Sequence, residues 1–218
     1  EVASCMKDLG FKILNMIVWQ KADPPKTLTE QRFNFSAEYI IWARKCEKVP
    51  HYFNYQLMEA MNNGVHMPDV WKLPAPGTWE KVCGKHPTQK PLRLLYRIIL
   101  ASTRTGETIL DPFAGSCTTG IAANLLGRNF IGIEQEEKYT RLGLKRKAEI
   151  EEKAKAEQIF KHMSENPNEQ QIQKISRTFL FTALTMTTIC GTASSIVQEI
   201  ATYCSLSCIV SFCLLSSS

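Results

Sequence analysis

Three observations in the 218-residue sequence predict an α/β fold. Thr108-Ile-Leu-Asp111, a glycine-containing loop, a small-residue helix over 119–126 closed by Gly127, and Phe130-Ile-Gly-Ile-Glu134 make a β-loop-α-β unit. Such a unit places its strands in parallel with a right-handed crossover. The run Glu38-Tyr-Ile-Ile-Trp-Ala43 reads as a strand buried on both faces, in the manner of a parallel sheet. Val2 to Leu9, then Gly10, then Phe11 to Trp19, reads as a helix stopped by glycine and followed by a strand. Together they describe a Rossmann-like sheet with helices on both faces.

The remaining elements follow in order. Residues 20–35 form a loop around Asp23-Pro24-Pro25. Residues 45–90 read as irregular, broken by Gly64, Pro68, Pro74, Pro76, Gly77 and Gly84. So long a stretch without periodicity is usually functional or mobile. Pro91 suits a first helical position, where its missing N–H costs nothing. Leu92, Leu94, Leu95, Ile98 and Ile99 then give an apolar stripe, and Gly106 marks the exit. Residues 136–163 read as a charged helix with i,i+4 pairs such as Lys147/Glu151 and Glu149/Lys153, a solvated face.

Hydrophobic residues make up 44% and charged residues 22%, ordinary values for a globular protein. A wholly disordered chain, a collagen-like fibre and a coiled-coil rod are disfavoured. The net charge of +5 is unevenly spread. Glu199 is the one charged residue in 178–218, so residues 1–177 hold 26 basic against 20 acidic groups. That part of the chain favours polyanionic partners. None of the eight cysteines forms a C-x-x-C pair or a zinc-ligand cluster, and the N-terminal residues do not resemble a secretory signal. Free thiols in a reducing cytoplasm are expected. No cap precedes Val2, which reads as a helix entered partway, hence as a fragment. Residues 164–218 read as a linker and a low-charge tail. A membrane hairpin over 179–198 ranks below a loosely packed extension or non-native sequence.

Two segments carry chemistry. In Asp111-Pro-Phe-Ala-Gly-Ser-Cys-Thr-Thr119, a loop leaves a strand and enters a helix, where backbone N–H groups are free. Gly115 lets the backbone approach a ligand. Glu134, about 20 residues on, is placed to accept hydrogen bonds from ribose hydroxyls. The loop is not G-x-G-x-x-G and lacks the P-loop lysine, which disfavours a triphosphate. Asp111 would repel a pyrophosphate but suits a ligand with a positive centre, such as S-adenosylmethionine; the plain alternative is an ordinary βα loop of a doubly wound sheet. The second segment, His86-Pro-Thr-Gln-Lys-Pro91, is stiffened by two prolines. On its residues alone it reads more readily as a helix-capping segment than as a ligand site.

His86 to Pro91, then Asp-Pro-Phe-Ala-Gly-Ser-x-Thr-Thr, then Phe-Ile-Gly-Ile-Glu, closely resembles S-adenosylmethionine-dependent DNA amino-methyltransferases, which modify adenine N6 or cytosine N4. The order resembles the circularly permuted β class, in which the cofactor half follows the catalytic half. Upstream, Ile17-Val-Trp-Gln-Lys21, Arg32-Phe-Asn and Ser36-Ala-Glu-Tyr-Ile-Ile-Trp42 look like that family's segment before its target-recognition region. The resemblance covers roughly residues 1–150. It implies a class I methyltransferase sheet, incomplete at the N-terminus. Within it, 1–50 would end the catalytic half, 51–85 recognise the target and 86–150 bind the cofactor, with the charged helix over 136–163. It implies cofactor contacts from His86, Thr88, Gln89, Lys90, Asp111, Phe113, Ala114, Gly115, Ser116, Thr118, Thr119 and Glu134. It implies double-stranded DNA as partner, met by Arg32, Lys72, Trp79, Lys81 and Lys85, and a companion restriction endonuclease. For Arg32 the plain alternative is a surface arginine, and for Trp71 core packing. No metal is implied.

Two departures stand out. Cys117 occupies the place of the family's second glycine, where a side chain crowds the backbone and disfavours a positive φ. The catalytic motif, an acidic or amide residue followed by two prolines and an aromatic that stacks on the flipped base, is expected upstream of Glu1. Asp23-Pro24-Pro25-Lys26 does not supply it, because position 26 is not aromatic. The 218 residues alone are therefore expected to be inactive. Adenine N6 is preferred over cytosine N4. The rival readings are a catalytically incomplete DNA- or cofactor-binding module and a nucleotide-linked dehydrogenase.

Overall fold

A computed structural model of the chain describes residues 1–26, 31–152, 186–189 and 214–215. The expected helical residues 153–163 and the rest of the tail lie outside the described residues. Two compact units emerge.

The first unit contains residues 1–51 and 68–77 with a two-residue strand from the tail. Its elements are α1 (Val2–Asp8), β1 (Lys12–Lys21), β2 (Ala37–Arg44), β3 (Val70–Leu73) and the tail strand Leu214–Leu215. α1 ends where Gly10 takes φ +84°. There the Gly10 N–H donates to Lys7 C=O and the Phe11 N–H to Met6 C=O, the paired bonds of a Schellman ending. The sheet runs β3-β1-β2-tail strand. β1 pairs with β2 antiparallel, with Ile17 opposite Ile40 and Trp19 opposite Glu38. It pairs with β3 in parallel, with Trp19 beside Trp71.

The antiparallel pairing corrects the expectation that residues 38–43 lie in a parallel sheet. A parallel pair needs a crossover, usually helical, and the proline-rich connection after β1 contributes no helix among its described residues. Tyr39 and Met16 are exposed, so one face is partly open, as antiparallel sheets allow. Ile17, Trp19, Ile40, Ile41, Trp71 and Leu73 form the core. The Trp19 indole N–H donates to Leu73 C=O at 3.0 Å and the Trp71 indole N–H to Pro68 C=O at 2.7 Å. Trp71 is a core residue. Lys21 Nζ meets Glu38 Oε1 at 2.9 Å in a largely buried ion pair.

The second unit takes residues 52–67 and continues from Thr78. It holds α2 (Tyr55–Met61), a 3₁₀ turn (Thr78–Lys81), α3 (Leu92–Ser102), β4 (Thr108–Asp111), α4 (Thr118–Leu125), β5 (Asn129–Ile133), α5 (Glu137–Glu152) and the strand Met186–Ile189. α2, β3 and the 3₁₀ turn correct the reading of 45–90 as irregular. Each is too short for a clear period. α2 is recognisable by its cap, since Asn54 Oδ1 accepts from the Leu57 N–H.

β4 and β5 run parallel, in register from Thr108 with Asn129 to Asp111 with Gly132. The tail strand 186–189 adds in parallel to β5, an addition that the tail's composition did not predict. α3 is almost wholly buried, and α4 entirely so. α5 corrects the reading of a solvated helix: Gly143, Arg146 and Ile150 are buried along one side. This helix–sheet arrangement is a Rossmann-like α/β fold. Among the described residues no helix is long and apolar enough to cross a membrane, no group of His, Cys, Asp or Glu could hold a metal, and Cys5, Cys46, Cys83 and Cys117 are free.

Candidate functional site: the loop between β4 and α4

The loop leaving β4 is held by its own backbone and by one carboxylate. Phe113 N–H donates to Asp111 Oδ1 at 3.0 Å, an Asx-type turn. Ala114 N–H donates to Ile133 C=O at 2.9 Å, which ties the loop to the end of β5. Gly115 N–H donates to Glu134 Oε2 at 2.7 Å, while Glu134 Oε1 accepts the Glu136 N–H at 2.8 Å. Glu134 thus clamps the loop to the start of α5 and retains free lone pairs on both oxygens.

His86 lies on this loop. A Cβ added at Gly115, whose φ is +52°, would come within 3.3 Å of His86 Nε2. Glycine is favoured there by φ, and a Cβ would also press on the imidazole. The ring also meets Tyr139 edge-on, with centroids 4.1 Å apart, and its Nδ1 accepts the Thr88 N–H at 3.2 Å.

Burial lowers the His86 pKa; Glu134 opposes this, and the positive charges of Lys90, Arg146 and Lys138 reinforce it. A base depressed in the folded state favours folding while neutral. Its contribution is therefore present above the ordinary value of 6.5 and is lost as pH falls below it. The His86 ring protons should titrate by NMR with a midpoint below 6.5. A midpoint above it would mean that Glu134 outweighs burial. Burial likewise raises the Asp111 carboxyl, against hydrogen bonds from Thr119 and the Phe113 N–H that lower it; the Glu134 charge raises it further.

The expected cofactor residues divide into groups. His86, Gly115 and Glu134 converge by direct contact. Asp111 and Phe113 stand at the same loop, and Phe113 is 76% exposed. Ala114 belongs to the loop through its backbone. Thr88 is exposed and Lys90 half-buried. Gln89 is turned elsewhere: it is buried and donates from Nε2 to Glu80 C=O at 3.0 Å. Ser116, Thr118 and Thr119 are buried, and the first two bond Arg146. Of the expected DNA-contacting residues, Arg32 stacks on Phe35 at 5.1 Å and Lys72 is exposed on β3, both in the first unit. Trp79, Lys81 and Lys85 belong to the second.

Cys117 adopts φ +60° and ψ 30° as the residue before α4. Its side chain is buried, and burial pushes its thiol up to about 12. Room for it comes from two glycines: a Cβ at Gly143 would lie 2.7 Å from Cys117 Cβ, and one at Gly120 would lie 2.6 Å from its Sγ. The thiol therefore packs against helices α4 and α5, and the expected crowding of the loop is absorbed there.

Arg146, Tyr139 and Glu80 were not singled out from the sequence. The first two share a spacing of helical period with Gly143 and Ile150, a signal masked by the helix's abundant charge.

A profile of the N6_N4_Mtase family, described as DNA methylase, matches residues 2–145. The chain is 56% identical over 149 residues to the type II methyltransferase M2.MboI of Moraxella bovis, covering 68% of this chain and 55% of that protein. It is 52% identical over 146 residues to M2.DpnII of Streptococcus pneumoniae, covering 66% and 54%. The chain thus spans little more than half the length of these relatives. Among solved structures, the M1.HpyAVI–SAM complex matches with a TM-score of 0.57 at 36% identity, over 66% of this chain and 67% of that one. The PvuII DNA methyltransferase (cytosine-N4-specific) matches with a TM-score of 0.57 at 18% identity, over 85% and 63%, a likeness of fold. Loop, sheet and sequence agree, and the chain belongs to the N6/N4 DNA methylase family.

Proposed function

We propose that this chain is the cofactor-binding and target-recognition part of an S-adenosylmethionine-dependent methyltransferase. Its target is an exocyclic amino group of a flipped base in double-stranded DNA, with adenine N6 preferred and cytosine N4 the alternative. The order of its halves is that of the permuted β class, and a restriction endonuclease is its expected companion. The observation that carries the reading is the convergence of His86, Gly115 and Glu134, far apart in sequence, on one loop.

The residues fit S-adenosylmethionine. Glu134 retains lone pairs for ribose hydroxyls, and Asp111 offers a negative charge to a positive centre. Phe113 presents an exposed ring. Thr88 and Lys90, with His86, would meet the methionine end. When bound, the cofactor supplies an electrophilic methyl group. The chain's own part is to bind, orient and exclude water, which accounts for much of such a rate enhancement. Arg32, Lys72, Lys81 and Lys85 would meet phosphates, and Trp79 a base or sugar.

Calorimetry on the 218-residue chain should show S-adenosylmethionine binding. Incubation with unmethylated plasmid DNA and labelled cofactor should leave adenine and cytosine unlabelled, because the double-proline catalytic motif is not in these residues. Failure to bind the cofactor would sink the reading, and binding of NADH in its place would favour a dehydrogenase. Label on either base would overturn the assignment of catalysis to residues outside this sequence.

A further inference from the structure

Arg146 is a buried cation in the wrong place for stability. It is 1% exposed and occupies the side of α5 that carries Gly143 and Ile150. One nitrogen, Nη1, serves the cofactor loop, donating to the Ser116 carbonyl, to Ser116 Oγ at 3.0 Å and to Thr118 Oγ1 at 3.0 Å. Nε and Nη2 have no hydrogen-bond partner. Among the described residues no carboxylate stands in ion-pair contact with it. Glu80 is the opposite charge it feels most, through space.

Taking a guanidinium out of water costs several kcal/mol, and well-packed apolar side chains of similar volume often stabilise when they replace buried charges. A leucine or methionine would fill this space at lower cost. A buried polar group left partly unsatisfied calls for a specific explanation. Its acceptors supply one, since all three lie in Ser116 and Thr118 and flank Cys117. Holding the Ser116 carbonyl orients the peptide plane entering Cys117, the residue at φ +60°. A non-glycine residue in that conformation persists only where its surroundings over-determine it. The first intrahelical bond of α4 runs from Ile121 N–H to Cys117 C=O. The N–H groups of Thr118 and Thr119 therefore precede the ladder and have no acceptor in it.

We propose that Arg146 is a positioning residue for the cofactor: it holds the Ser116–Thr118 turn in the left-handed form that presents the free N–H groups at the start of α4 to S-adenosylmethionine. The role rests on the reading of this loop as the cofactor site. Arg146 acts through the loop and does not itself touch the ligand.

The test uses the 218-residue chain with three variants: Arg146→Met, which keeps bulk and removes charge and donors; Arg146→Lys, which keeps charge and loses the planar fork; and Thr118→Val, which removes one acceptor. Each is measured by calorimetry with S-adenosylmethionine, by thermal midpoint without ligand, and by amide hydrogen exchange. Arg146→Met should weaken cofactor binding by about tenfold or more, by analogy with the loss seen when the groups that orient metal ligands are removed. Exchange should accelerate within 115–119, with little change of midpoint. Arg146→Lys should bind between wild type and Arg146→Met.

Binding by Arg146→Met within twofold of wild type, or faster exchange spread evenly through the second unit, would overturn the proposal. If Arg146→Met does not fold, Thr118→Val decides, with unchanged affinity and unchanged loop exchange counting against it. A wild-type chain that fails to bind S-adenosylmethionine overturns the underlying assignment of the site. The loop exchange of the variants then decides separately whether Arg146 shapes the turn.

Discussion

Gly143→Ala is expected to lose about 3 kcal/mol of stability, the upper part of the range for overpacking a filled core. In an exposed helix the same change gains up to about 1 kcal/mol, so the sign here comes from tertiary contact. The new Cβ would lie 2.7 Å from Cys117 Cβ and 3.6 Å from both Cys117 N and Ser116 C. Those are backbone and first-carbon positions, which cannot rotate away. Because the obstacle is the Cys117 side chain, Cys117→Gly should restore most of the loss. By itself Cys117→Gly should be close to neutral, since it relieves roughly 1–2 kcal/mol of left-handed strain while giving up a buried thiol.

Gly120→Ala supplies the control. Its Cβ would meet the Phe130 ring at 2.5 Å as well as Cys117 Sγ at 2.6 Å, so Cys117→Gly should not rescue it. Urea denaturation of the single and double variants measures the coupling. Equal losses for Gly143→Ala with and without Cys117→Gly would refute the packing assigned to Cys117.

Glu80→Ala is expected to cost about 2–3 kcal/mol, the penalty for leaving a buried hydrogen-bonding group unsatisfied. Glu80 is 5% exposed. Its Oε2 accepts the Leu92 N–H at 2.9 Å, satisfying a donor that the first turn of α3 cannot satisfy internally. Its carbonyl accepts from Gln89, so Glu80 fixes the His86–Pro91 segment from two sides. It is also the negative charge that Arg146 feels most. Removal would orphan a helix N–H and deprive a buried cation of its counter-charge. Glu80→Gln keeps an oxygen for Leu92 and loses only the charge, so it should fall between Ala and wild type. Denaturant unfolding followed by far-UV circular dichroism measures the loss. A loss below about 1 kcal/mol for Glu80→Ala, the range of exposed pairs, would show that this network is not what holds the segment.

The parts of the fold legible in sequence were those with local causes. The β-loop-α-β unit was visible because Gly115, Gly120 and Gly127 punctuate apolar runs of the right length, and the structure holds β4 and β5 parallel in register. α3 was visible through its leucine and isoleucine stripe. α2, β3 and the 3₁₀ turn were not, because four to seven residues hold too few periods to exceed noise. The direction of β2 is not legible in the sequence, because burial on alternating and adjacent positions does not encode strand direction. Direction follows from how the connection closes.

At the site, the motif singles out His86, Gly115 and Glu134, which the structure brings together. It could not show that Ser116 and Thr118 turn inward, or that Gln89 belongs to Glu80. Buried side chains choose among several hydrogen-bond partners, and the winner depends on elements distant in sequence. Arg146 stands 30 residues from Ser116, and in a helix of 16 residues rich in Lys, Arg and Glu one more arginine carries no mark.

The sequence by itself determined the family, the order of motifs and the glycine-punctuated loop, because these depend on residue type and spacing along the chain. Only the tertiary structure decided that Cys117 is tolerated, that α5 has a buried side, and that an arginine lies beneath the loop. Each of those rests on which atoms share a volume after folding: Gly120 and Gly143 are small enough to admit the thiol, and the loop's oxygens are close enough to hold the cation. Close packing through space is not written in neighbouring letters.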